Sequence, residues 1–239
     1  MSSILRKMMY RIRLNATVRK LRSSSLKRKV GERSRSKVFC IGMNKTGTTS
    51  IRKEFQRMGL IVGIEREAEM LYKEFFSEDY EPIYDYIDTG EAFQDFPFSY
   101  PGFFRLLDQR YPDAKFILTV RSSSDQWFDS LVRFHSKVFG SGRLPDETTL
   151  RESIYVEKGM AWVSFSNLFK VEPGEELYNK ERLVEVYEDH NRAIREYFKD
   201  KPGRLLELDL SEEGAYQEFC AFLDYQSEHS TFPWENKTD

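Results

Sequence analysis

The hydrophobic pattern of the chain is a series of short, unbroken apolar runs, each followed by a longer stretch with helical spacing. Val38 to Ile41 and Ala114 to Val120 are continuous enough to be strands buried on both faces. Arg204 to Leu210 is a third strand. Leu60 to Ile64 and Glu91 to Phe98 are shorter candidates, the latter running into a turn at Pro97. Between the runs the apolar period changes. Ile51, Phe55 and Met58 recur at i, i+4 and i+7, the stripe of a helix packed on a sheet. Comparable patterns predict helices over Glu65 to Phe76, with Met70, Leu71, Phe75 and Phe76 inward, over Asp79 to Ile87, and over Tyr100 to Tyr111. Ser123 with Gln126 three residues later fits a capping box, so a helix should begin there and pass Leu131. Gly140 to Pro145 reads as a loop. Further helices are expected over Glu147 to Lys170, Asn179 to Lys199 and Tyr216 to Leu223, before an irregular tail. Strands alternating with helices predict an α/β domain, a three-layer sandwich around a mostly parallel central sheet.

Charge divides the chain. Of 37 basic and 39 acidic residues, 13 Lys and Arg but only one acid, Glu32, lie in residues 1–37, a local net of +12. The remaining 24 basic and 38 acidic residues make the body acidic, at −14. Residues 1–36 are therefore read as a basic arm, disordered or an amphipathic helix, and residues 37–239 as a single domain. Ile4, Leu5, Met8, Met9 and Ile12 at helical spacing would let the arm rest on an anionic membrane surface. The same composition suits an organelle transit peptide or a solvated tail. Nucleic acid is not an expected partner, because no aromatic platform beyond Tyr10 accompanies the charge. No apolar run approaches the length of a membrane span. Two cysteines, Cys40 and Cys220, make no disulfide framework, which favours a reducing compartment such as the cytoplasm.

The candidate chemistry begins at Lys37 to Leu60. A strand there leads through Gly42, Lys45 and Gly47 into the hydroxyl residues Thr48, Thr49 and Ser50 and then a helix. That layout aims backbone N–H groups and a helix dipole at one phosphate. The spacing Gly42-x4-Gly47 matches a P-loop, but Thr48 stands where the triphosphate-binding lysine would be. The loop thus suits a single phosphate with a cation beside it. Arg121 directly follows the strand ending at Val120, where ligands bind in open parallel sheets, and its guanidinium fork suits a phosphate dianion. Ser130 in the following helix could add a hydroxyl.

The run K-T-G-T-T after a strand resembles the 5′-phosphosulfate loop of sulfotransferases that use 3′-phosphoadenosine 5′-phosphosulfate (PAPS), with Asn44 in place of the usual proline. Arg121 and Ser130 resemble the 3′-phosphate site of that family, where the helix serine follows about eight residues after the arginine; here the interval is nine. The resemblance implies a P-loop NTPase-like fold. It also implies PAPS as donor with no metal, the 5′-phosphate on Lys45, Thr46, Gly47, Thr48 and Thr49, and Lys45 stabilising the leaving oxygen. The acceptor would be a hydroxyl or amine of a carbohydrate, lipid or small molecule. Its proton needs a base. Asp95 in D-F-P, an element similar to one in the same family, is one candidate, a turn aspartate being the alternative. His135 is the other, for its suitable unperturbed pKa. The closing F-P-W-E-N-K-T also resembles the family's C-terminal end, where Trp234 and Lys237 could serve. Two other classes remain in view: a small-molecule kinase, and a nucleotide-binding or membrane-docking module without catalysis.

Overall fold

The computed structural model describes residues 23, 25–27, 29–31, 33 and 35–233. The expected amphipathic stripe from Ile4 to Ile12 and the tail residues Trp234 and Lys237 lie outside them. Four strands, β1 (Val38–Cys40), β2 (Ala92–Phe93), β3 (Lys115–Val120) and β4 (Leu205–Asp209), form one sheet in the order β2-β1-β3-β4. Every pairing in it is parallel, as expected of strands joined by helical crossovers. Register is set by buried faces: Phe39 pairs Phe93 on one side and Phe116 on the other, and these rings stack at 5.5 and 5.6 Å between centroids.

Alternation along β1 divides the core between the two faces. Phe39 and Ile41 join Phe93, Phe116 and Leu118 beneath α4 (Glu81–Ile87), α5 (Phe103–Arg110) and α9 (Lys180–Phe198). Val38 and Cys40 face the opposite way, against α1 (Thr48–Arg57) and α10 (Ala215–Phe222). The expected three-layer α/β sandwich is present. A separate cluster around Trp127, Leu150, Trp162, Phe165 and Leu183 holds α6 (Ser124–Val138), α7 (Glu147–Glu152) and α8 (Met160–Phe169) against α9.

Several expected elements are shorter or broken. Leu60 to Ile64 makes only an isolated bridge, Val62 with Ala92, and is not a strand. Glu65 to Phe76 is two helices, α2 (Glu65–Glu69) and α3 (Tyr72–Phe76). The break at Leu71 leaves Met70 43% exposed, against expectation, while Phe75 turns into rings from Phe96, Tyr100 and Phe103. The expected strand Glu91 to Phe98 keeps only Ala92 and Phe93, because Asp95 adopts φ 58° and bends the chain before a cis Phe96–Pro97 bond. The predicted helix Glu147 to Lys170 is interrupted between α7 and α8, where Ile154 bridges Lys158. The capping box at Ser123 forms by half. Its hydroxyl accepts the Gln126 N–H at 3.1 Å, but the Gln126 side chain accepts from Ser122 instead.

The basic segment meets the domain through described residues. Arg33 Nε lies 3.0 Å from the buried Glu91 carboxylate, and Arg33 Nη2 donates to the Gly59 carbonyl at 2.9 Å. Among the described residues, no helix is long and apolar enough to cross a membrane.

Candidate active site

Two close approaches shape the glycine loop after β1. A Cβ on Gly42 would lie 2.3 Å from both the carbonyl and hydroxyl oxygens of Thr119, so only glycine lets the loop leave β1 this close to β3. Gly47 caps α1 at φ 101°, and a Cβ there would meet Leu210 at 2.9 Å. Its carbonyl accepts the N–H groups of Ser50 and Ile51, which starts the helix. The N–H groups of Thr48 and Thr49, ahead of those bonds, have no carbonyl of the helix to reach and carry the positive end of the helix dipole.

The loop is braced on every side. Thr46 is buried, and its hydroxyl lies 2.6 Å from both the Met43 carbonyl and the Thr119 hydroxyl, so the backbone N–H is what Thr46 has left for a ligand. The Asn44 carbonyl accepts from Trp127 Nε1 at 3.0 Å, and its amide oxygen accepts from Ser99 at 3.1 Å. Trp127 stacks on Tyr187 at 4.4 Å. Buried His190 of α9 hydrogen-bonds the Ile41 carbonyl at 2.8 Å.

Arg121 and Lys45, far apart in sequence, are joined directly: Arg121 Nε donates to the Lys45 carbonyl at 2.7 Å. Lys45 has φ 77° and its ammonium sits 4.0 Å from the Phe134 ring centre. Burial lowers the pKa of Lys45; Arg121, Lys137 and Arg133 push it the same way, against Asp95. Ser130, Arg133, Phe134 and Lys137 occupy i, i+3, i+4 and i+7 of α6, one face of that helix. The contact with Phe134 turns this face, and with it half-buried Ser130, toward the loop. Thr49 is half-buried in the first turn of α1.

Beyond the ends of β3 and β4 lies a cavity of about 650 Å³ lined by Arg121, Ser122, Tyr187, Asn191, Arg195 and Asp209, among others. The Arg121 N–H donates to Tyr187 Oη at 3.1 Å. Asn191 Oδ1 and Asp209 Oδ2 are buried there without a hydrogen-bond partner. Neither residue, nor Arg133, Lys137 or Tyr187, stood out in the sequence. Only the four-residue spacing of Arg133 and Lys137 behind Ser130 offered a signal.

On the other side of Lys45 stands Asp95, buried and 9% exposed. Burial raises its pKa to about 7, and Glu65 pushes the same way. A hydrogen bond from Thr48 and the charges of Lys45 and Arg52 pull back. His135 goes in the opposite direction: burial, then Lys45, hold it down at about 3. Its Nδ1 lies 2.8 Å from Tyr178 Oη, among the rings of Phe139, Phe165 and Tyr178. Among the described residues, no three His, Cys, Asp or Glu side chains are grouped to hold a metal ion.

The family model described as "Sulfotransferase domain" matches residues 37–239. The chain belongs to the sulfotransferase domain family. No curated protein matches it at a significant level. Sulfuryl transfer is accordingly the class of reaction, and the protein is a transferase. Within this sulfotransferase domain, Lys45, Thr46, Gly47, Thr48, Thr49 and Arg121 come together at the carboxyl ends of β1 and β3, with Asp95 touching the loop through Thr48. His135 is near enough to feel Lys45 but is enclosed by aromatic rings.

Proposed function

We propose that this sulfotransferase takes its sulfuryl group from PAPS and passes it to a hydroxyl or amine, with Asp95 as the base. The hydrogen bond that fastens Arg121 to the Lys45 carbonyl carries the reading. It sets a guanidinium beside a single-phosphate loop, an arrangement suited to phosphates on two positions of one ribose. The residues fit such a donor in chemistry as well. Asn191 Oδ1 and Asp209 Oδ2 are buried acceptors in need of donors, as a nucleoside's hydroxyl and amino groups are. The N–H groups of Thr46 to Thr49 would hold the 5′-phosphate, and Arg121 with Ser130 the 3′-phosphate. Bound there, PAPS would supply a sulfuryl group on a stable bisphosphate leaving group.

The chain's own part is positioning and charge. Lys45, a cation in a partly desolvated setting, would neutralise charge on the departing oxygen. Asp95 would accept the acceptor's proton as the new O–S or N–S bond forms. Burial and Glu65 give its carboxylate an affinity for protons that an exposed aspartate lacks.

Calorimetry with adenosine 3′,5′-bisphosphate, against ATP with Mg²⁺, tests the donor. Binding of ATP alone would favour the kinase reading and reject this one. Arg121→Ala should weaken the bisphosphate by about tenfold or more, as for a charge-assisted hydrogen bond, beyond whatever adenosine 5′-phosphate loses with the contact to the Lys45 carbonyl. Equal losses would refute its role at the 3′-phosphate.

A further inference from the structure

A second group of buried polar side chains lies on the β2 side of Lys45, and the donor site makes no use of it. Gln94 and Asp95 follow β2 and are 4% and 9% exposed; each keeps a side-chain oxygen, Oε1 and Oδ1, without a hydrogen-bond donor. The Gln94 amide nitrogen lies 3.4 Å from Glu65 Oε2, and Arg52 Nη1 lies 3.7 Å from the same oxygen. Arg52 Nε is buried with no acceptor. One turn along α2, Glu69 pairs with Arg66 at 3.1 Å and hydrogen-bonds Tyr155. Electrostatically this is one cluster, since Asp95 feels Glu65 and Glu69 feels both.

Its chemistry selects among acceptors. Each of the three carboxyls Glu65, Glu69 and Asp95 already has a cation beside it, Arg52, Arg66 and Lys45, so a charged ligand would have to displace an existing partner. Gln94 Oε1, Asp95 Oδ1 and Arg52 Nε are already shut off from water without a partner, and an apolar ligand would leave each of them so. Neighbouring hydroxyls, each both donor and acceptor, satisfy all three. The Arg52 and Glu65 side chains, 33% and 31% exposed, form the solvent side of the cluster.

We infer that Arg52, Glu65 and Gln94 form the acceptor subsite and that it takes a neutral polyhydroxylated group, the vicinal diol of a sugar ring, with one hydroxyl on Asp95. The inference rests on the sulfuryl-transfer reading above, and the experiment separates the two. Binding of adenosine 3′,5′-bisphosphate is measured first; without it, both fail. If it binds, transfer of ³⁵S from PAPS is followed to methyl glycosides of glucose, galactose and N-acetylglucosamine, to 4-nitrophenol and to 1-octanol. Transfer to at least one glycoside is expected. Gln94→Met, similar in volume but without the amide, should raise that glycoside's KM about tenfold, leave kcat within about threefold and leave bisphosphate affinity unchanged. Transfer only to the phenol or the alkanol, transfer to none, or an unmoved KM would overturn the assignment while the donor reading stood.

Discussion

Two side chains near Lys45 could take a proton from an acceptor, and their surroundings drive them apart. Asp95, raised to about 7 by burial and then by Glu65, is ionised above neutrality and binds protons well below it. His135, held at about 3 by burial and then by Lys45, is neutral across the physiological range and a weak base. With Asp95 as the base, kcat/KM should rise through a one-proton limb near pH 7 and level above it. Asp95→Asn should abolish turnover with bisphosphate affinity nearly intact; surviving turnover would reject the assignment. The same substitution should also stabilise the fold. Between the ordinary aspartate value of 3.8 and about 7, the folded state holds a proton that the unfolded state releases. Stability is therefore lost as pH rises through that window, and the full penalty stands above 7. A melting temperature at pH 8 higher in Asp95→Asn than in the parent, by about 2–4 °C per kcal/mol recovered, with the gain shrinking toward pH 4, would show the cost of keeping the base.

At the scale of elements, the strands and helices that form by local rules were legible, and the breaks were not. Ala114 to Val120 and Asn179 to Lys199 were readable from apolar runs and helical periodicity, and both are present with ends shifted by a residue. The interruptions at Leu71 and after Glu152 depend on partners far along the chain. Arg66 on α2 donates to the Tyr155 carbonyl and covers its ring, tying together the two places where a helix was expected to continue. The turn at Asp95 was visible only as D-F-P, while the positive φ that ends β2 is a property of the folded loop. The loop after β1 offers the sharpest element-scale test. Gly42→Ala would push a methyl group into Thr119, whose hydroxyl also lies 2.6 Å from that of Thr46. Destabilisation of about 1–3 kcal/mol is expected in urea titrations, as for overpacking, together with weaker bisphosphate binding. Unchanged stability would mean that the contact with β3 is not what shapes the loop.

Over the whole molecule, strand ends were the legible part of the candidate site. Lys45 and Arg121 could be picked out because one lies in the loop after a buried run and the other directly follows one, and parallel sheets gather such positions at one edge. Asn191, Asp209 and Gln94 could not, since their distinction is a missing hydrogen-bond partner, which exists only once the layers have packed. The charge division was equally plain in the sequence, yet the boundary at residue 36 is crossed by the contact of Arg33 with buried Glu91.

The bracing of the glycine loop has a consequence for time. Trp127, Ser99, Thr119 and Arg121 hold the loop before any ligand arrives, so the cost of ordering it falls on folding and not on binding. The donor and its spent bisphosphate share nearly every contact such a frame can offer. With PAPS as the donor, such a frame would retain both for long residence times, and escape of the bisphosphate, not the chemistry, should set the pace. Rapid-quench sampling should then show a first-turnover burst close to one product per enzyme, followed by a slower steady rate; a linear trace would locate the slow step before or at transfer.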